Sequence, residues 1–215
     1  MKALLSTTYF GPVQWYQKLY RHEAVEIEQW ESFLKQTYRN RCLIATTQGI
    51  QALTVPVERK EESGKRKENT IKEMRISDHG NWRHLHWNAL VSAYGESPFF
   101  EYYQDDIRPF FENRWDYLFD FNEAIRCKMC ELLDIQPKVT FSSTYHHPAD
   151  ISLTSHLLPL TSDYREAINP KHPLPDPDFV PKPYYQVYQQ KHGFLSNLSI
   201  LDLLFNMGPE GIFYL

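Results

Sequence analysis

The order of segments at the start of the chain most constrains its fold. An apolar run over residues 3–8 is followed by Gly11-Pro12, a stretch of helical character to about Glu23, and then Ala24 to Gln29. In the last of these, Val25 and Ile27 alternate with Glu26 and Glu28, the period-two pattern of a strand with one wet face. Pro12 suits the first helical position, where its missing N–H would have no intrahelical partner. Strand, helix and strand in this order form a βαβ-like unit. Such a unit favours parallel pairing and an α/β class with a mixed sheet.

The rest of the chain fits one domain over residues 1–215 built on that unit. Tyr38–Thr46 and Ala52–Glu58 read as strands with a hairpin at Gln48-Gly49. Residues 58–73 hold six basic and five acidic side chains and read as a charged mobile loop, with Ile71–Ile76 returning as a strand. One helix is expected from Ser77 or Asp78 to Gly95, and a second from Ser97-Pro98 that Pro109 interrupts. Leu118, Phe121, Ile125, Met129 and Leu132 give a third helix one apolar stripe, with Cys127 opposite it. Val139–Ser142 is a short strand, and residues 145–183, rich in His and Pro, read as irregular structure wrapping the domain. Ser199 and Asp202 have capping-box spacing at the start of a helix that Gly208-Pro209 ends.

Composition narrows the class of protein. A formal net charge of −4 gives no general surface for nucleic acid or anionic lipid. No apolar run has the length of a signal peptide or a membrane span, and three cysteines are a low, odd count. Both point to a cytoplasmic protein without membrane insertion. The 14 Tyr, 13 Phe and 5 Trp supply rings for a core and for a groove that takes a flat or sugar-like ligand.

Several groups of residues could carry chemistry. With Tyr38 onward as a strand, Arg39 and Arg41 share a face, and Lys35 lies close by. Together they could clamp a phosphate or carboxylate; the alternative is a solvent face of a sheet whose charges oppose edge pairing. The turn Thr7-Thr8-Tyr9-Phe10-Gly11-Pro12 stands where α/β sheets bind ligands, with Tyr9 and Gln14 as its polar handles. One glycine does not make a Rossmann or phosphate-loop motif there. His84 is a candidate general base. His84 and His86 are two apart on a helix and do not converge on a metal. His146, His147, Asp150 and His156 match no zinc spacing, and Cys127-x-x-Cys130 has no second pair, so neither metal nor cofactor is expected. Cys42 is a nucleophile only if it is exposed beside a base.

These blocks also resemble the WbqC-like protein family. The resemblance is carried by Tyr9-Phe10-Gly11-Pro12 with Gln14, by Lys35 to Arg41, and by Leu53-Thr54-Val55-Pro56-Val57. Trp82, Ala93-Tyr94-Gly95, Ser97 to Tyr103, Tyr185 to Tyr188 and Leu198 to Asn206 continue it in order through nearly the whole chain. The resemblance implies a bacterial protein encoded among genes for O-antigen or other surface polysaccharides, with aminoacyl or glycine transfer as a proposed activity. It supplies no agreed catalytic residues. The expectation is a transferase acting on a small anionic or sugar-nucleotide-like substrate. Lys35, Arg39 and Arg41 would hold its anion, Tyr9 and Gln14 would add hydrogen bonds, and His84 would be the base. The alternative is a non-catalytic binding protein for such a ligand.

Overall fold

A computed structural model describes residues 2–58, 61–62, 65–66, 69–147 and 161–215. The expected opening unit is present as β1 (Lys2–Ser6), α1 (Val13–Arg21) and β2 (Ala24–Glu28). The two strands are parallel and in register from Lys2↔Ala24 to Ser6↔Glu28. Pro12 stands immediately before α1 in extended conformation.

β1 and β2 are the inner strands of a four-stranded sheet of order β7-β2-β1-β8, with β7 at Val139–Phe141 and β8 at Thr161–Asp163. Every pairing in it is parallel, so the sheet is not itself mixed. The antiparallel strands β3 (Arg41–Thr46) and β4 (Gly49–Thr54) form a separate ribbon. Its turn closes at Gly49, whose φ of +106° is open to glycine at little cost. β5 (Glu61–Glu62) and β6 (Lys65–Arg66) form a short antiparallel pair inside the charged segment, most of which lies outside the described residues.

The helices are α2 (Trp82–Tyr94), α3 (Phe100–Ile107), α4 (Pro109–Glu112), α5 (Leu118–Leu132), α6 (Gln189–His192) and α7 (Ile200–Met207). The stripe on α5 is buried at Leu118, Phe121, Ile125 and Met129, and Cys127 is exposed, as the periodicity requires. The rings of Tyr9, Phe10, Trp82, Phe110, Phe111 and Phe121 meet in edge and stacked contacts in the core. Among the described residues, no helix is long and apolar enough to cross a membrane.

Five expectations need correction. The third strand begins at Arg41, not Tyr38, because residues 38–40 form a turn pinned by neighbours. Tyr38 O accepts from Tyr9 N, Arg39 O accepts from Asn122 Nδ2, and Asn40 Nδ2 donates to Val55 O. Ile71–Glu73 is one turn of 3₁₀ helix, although Val57 and Ile76 still form an isolated bridge. Glu28 lies on no wet face; it is fully buried and accepts from Ser142 Oγ and from the N–H groups of Trp30 and His146. Asp202 does not close a capping box. Ser199 Oγ caps Leu201 N, while the buried Asp202 carboxylate accepts from Tyr94 Oη, Tyr184 Oη and Gln186 Nε2. The segment read as irregular over 145–183 contributes strand β8, which is too short to show a period; residues 148–160 of it lie outside the described set.

The first turn is held from a distance. Val13 N donates to Leu198 O, Ile200 N to Gly11 O and Ser199 Oγ to Phe10 O. Phe10 has a φ of +40°, a left-handed conformation disfavoured for a residue with Cβ, and it persists because these bonds and the packed ring fix it.

Candidate functional site

In a parallel sheet all carboxyl ends lie on one edge, and loops there can converge on a ligand. Here each of the four strands brings a polar side chain to that edge: Ser6 from β1, Glu28 from β2, Ser142 just after β7, and Asp163 from β8. Two buried arginines tie this edge together. Arg39 donates through Nε to Glu31 Oε1 at 2.7 Å and through Nη2 to Glu31 Oε2 at 2.5 Å and Ser6 Oγ at 2.9 Å. Arg165 donates through Nε and Nη2 to Asp163 at 2.9 and 2.7 Å, and again through Nη2 to His146 O at 2.9 Å. Its Nη1 stands 3.8 Å from Glu28 Oε2, an ion pair rather than a hydrogen bond. Burial would weaken the charge of Arg165, but Asp163 outweighs it and holds the guanidinium pKa above its usual value.

Two cavities meet these arginines. The outer one is a cleft of about 670 Å³ that includes Trp30, Glu31, Leu34, Tyr145, Glu166 and Leu174 around Arg39 and Arg165. Leu34, Tyr145 and Leu174 are exposed at its mouth. The inner one is a chamber of about 10 Å³, the room of a single water, walled by Thr7, Thr8, Trp15, Tyr164 and the same two arginines. Thr7 and Thr8 are buried, and among the described residues their hydroxyls have no hydrogen-bond partner. A buried polar group without a partner costs free energy, so it needs a ligand or an ordered water to account for it. Among the described residues, no hydrogen bond uses Nη1 of either arginine, and each side chain reaches both cavities. The site therefore offers spare donors at its floor and rings and aliphatic side chains at its mouth.

Gly11 explains how Thr8 comes to the chamber wall. A Cβ on Gly11 would stand 2.3 Å from Thr8 Oγ1 and 2.8 Å from Thr8 Cβ, inside contact distance. The glycine of the first turn thus makes room for the threonine.

The residues singled out from sequence are placed as follows. Arg39 is buried at the junction of the cavities. Lys35 is exposed on the turn before it, and Arg41, on β3, donates through Nε to Thr54 Oγ1; neither lines either cavity. The three cations do not converge. Tyr9 is fully buried, with its hydroxyl 2.9 Å from His86 Nδ1. Gln14 donates to Asp176 Oδ2 at 2.8 Å and accepts from Asn197 Nδ2 at 3.0 Å, beside the buried Lys18–Asp176 ion pair. His84 is exposed on α2, 2.9 Å from Asn88 Nδ2 and away from the cleft. Cys42 is buried on β3 and desolvation pushes its thiol pKa far up, which leaves no accessible thiolate. Among the described residues, no group of His, Cys, Asp and Glu could hold a metal ion. Sequence reasoning missed Glu31, Asp163 and Arg165. The signal for the last pair was Asp163-x-Arg165, where a two-residue step lets the side chains pair, but it lay in a segment read as irregular.

Fold and cavity together define an α/β protein with a cleft at the carboxyl ends of a parallel sheet. The WbqC-like protein family profile matches residues 7–171, and the chain belongs to that family. The chain is also 30% identical over 199 residues to "Uncharacterized protein Rv1507c" of Mycobacterium tuberculosis (strain ATCC 25618 / H37Rv), covering 85% of this chain and 83% of that protein. No solved structure matches the chain.

Proposed function

We infer that this protein is a cytoplasmic transferase that moves an acyl or aminoacyl group onto a sugar during assembly of a bacterial surface polysaccharide such as O-antigen. Its small, oxygen-rich or sugar-nucleotide-like substrate binds in the cleft over Arg39 and Arg165. One observation carries this reading: two buried arginines, Arg39 and Arg165, line one cleft at the carboxyl ends of the strands, with Thr7 and Thr8 in the wall of the small chamber beside it. Acyl transfer depends on positioning and on donors aimed at developing negative charge, and such a floor supplies both. Of the residues chosen from sequence, Arg39 makes the anion contact and Lys35 stands at the approach. Tyr9 and Gln14 hold the first turn in place. Arg41 and His84 act only if a bound substrate extends to β3 and α2.

A second reading is a non-catalytic carrier or sensor of the same ligand. It is favoured by the state of the nearest carboxylates: Glu31 and Asp163 are each engaged by two donors of one arginine and are poor proton acceptors.

The experiment is thermal denaturation with nucleotide sugars and with acyl and aminoacyl donors. It is followed by mass spectrometry of a sugar acceptor after incubation with any stabilising donor. A donor at a hundred times its Kd adds about 2.7 kcal/mol. A mass gain on the acceptor supports the transferase, and stabilisation without turnover supports the carrier. Equal stabilisation of the parent and an Arg39→Met/Glu31→Leu chain refutes the cleft.

A further inference from the structure

We propose that the free edge of β4 pairs with β4 of a second copy of this chain, so that two β3–β4 ribbons join into one antiparallel sheet across a dyad. The proposal is independent of the cleft over Arg39 and Arg165. The ladder fixes which groups the edge offers. Val55 N donates to Asn40 O, which continues the β3–β4 register, and alternation along an antiparallel pair then turns the main-chain groups of Ile50 and Ala52 away from β3. The far side of the ribbon agrees with this phase: Leu43 O accepts from Ser199 N and Ala45 N donates to Tyr94 Oη, so the outer edge of β3 is covered. On β4 the main chain of Thr54 is engaged by His86. Among the described residues, no hydrogen bond uses the main chain of Ile50 or Ala52. The edge is also undefended. Exposed edges are commonly guarded by Lys, Pro or a bulge. β4 reads Gly49-Ile50-Gln51-Ala52-Leu53-Thr54, without charge or proline, and pairs with β3 residue for residue. Beside it, a groove of about 750 Å³ runs between the ribbon and α2, with Gln48, Ile50, Gln51, Leu85 and Asn88 in its walls. No charged side chain lines this groove, although 23% of the chain is charged. Ile50 and Leu85 are each more than half exposed there. Self-complementarity selects the occupant. A dyad sets an edge against itself, which repels where the edge carries charge and does not where it is neutral. With Ile50 opposite Ala52 of the second copy, both residues exchange main-chain bonds in both copies. Gln51 then faces Gln51 of the second copy on the dyad, where the two side-chain amides can bond each other.

The test is sedimentation equilibrium of the full chain over a wide range of concentration at neutral pH. The mass is expected to rise from that of one chain towards that of two. Ala52→Pro removes an N–H that faces away from β3 and is expected to give a monomer with the parent's circular dichroism. Gln51→Glu and Gln51→Lys each bring like charges together on the dyad. Each is expected to be monomeric alone, and an equimolar mixture of the two is expected to recover the dimer. Mixing would not rescue a ribbon that had merely lost its fold, so this pair decides the matter even if the proline variant unfolds. A parent that stays monomeric throughout, a dimer that the Gln51 variants leave intact, or a mixture that stays monomeric would overturn the proposal. A monomeric parent that binds the synthetic peptide Gly-Ile-Gln-Ala-Leu-Thr would assign the edge to a peptide partner and overturn it equally.

Discussion

Removing Arg39 alone should destabilise the protein far more than removing it together with Glu31. Both side chains are at least nine-tenths buried, and two parallel hydrogen bonds join them. In Arg39→Met the methionine fills the guanidinium's path, but Glu31 remains as a buried charge whose carboxylate, among the described residues, keeps the Ser6 hydroxyl as its hydrogen-bond donor, with Arg165 the remaining cation near it. Breaking a buried pair this way costs about 3–5 kcal/mol. At about 2–4 °C of melting temperature per kcal/mol for a chain of this size, the loss amounts to roughly 6–20 °C. In Glu31→Leu/Arg39→Met both charges leave. Replacing a buried pair by apolar groups of similar volume is often neutral or stabilising, with about 1 kcal/mol set against it for the stranded Ser6 hydroxyl. The double variant should therefore lie within about 2 kcal/mol of the parent, and the coupling energy should exceed about 2 kcal/mol. Urea denaturation of the four chains followed by circular dichroism measures this cycle directly. Additive losses, or a single variant that loses under about 1 kcal/mol, would refute the view that the pair is held dry and bidentate.

Other expectations concern separate parts of the molecule. Desolvation lowers the pKa of His86 to about 4, below its ordinary 6.5. The unfolded chain thus binds a proton between those values that the folded chain refuses. Stability should fall by about 3 kcal/mol as pH drops from above 6.5 to 4, and a His86→Gln chain should show a flatter urea-midpoint profile across that window. Gly11→Ala forces a Cβ against Thr8 and should cost about 1–3 kcal/mol in thermal denaturation, partly recovered in Gly11→Ala/Thr8→Ala. Iodoacetamide should label exposed Cys127 in the native protein and spare buried Cys42, as read by peptide mass spectrometry; rapid labelling of Cys42 would contradict its burial. Asp202→Asn leaves three donors facing a side chain with one acceptor in place of a carboxylate, a loss of about 2–4 kcal/mol in urea denaturation.

The βαβ opening and α5 were legible because burial imposes a period on their residues. Val25 and Ile27 alternate with the glutamates, and Leu118, Phe121, Ile125 and Met129 recur at helical steps. Arg39 stood out in its basic block, but its burial and its geometry were not legible. Parity along a strand predicts a shared face with Arg41, whereas tertiary bonds from Tyr9, Asn122 and Asn40 hold residues 38–40 in a turn and send the two guanidinium groups apart. The partners Glu31, Asp163 and Arg165 come from loops and from a three-residue strand, where no local period marks them. Glu28 shows the same limit. Alternation assigns it to water, and only the arrival of Ser142 and His146 from β7 and its loop makes it the buried acceptor that it is.

The way the first turn is clasped by residues 198–200 has a consequence for how the protein comes into being. β1, α1 and β2 lie close in sequence and can find one another early, as short loops close fast. The chamber needs Arg165 from the far side of β1, and the turn carrying Thr7 and Thr8 is pinned only after Leu198 and Ser199 have docked. A sheet nucleus formed early would thus precede the setting of that turn, and the walls of the chamber would be fixed late in folding.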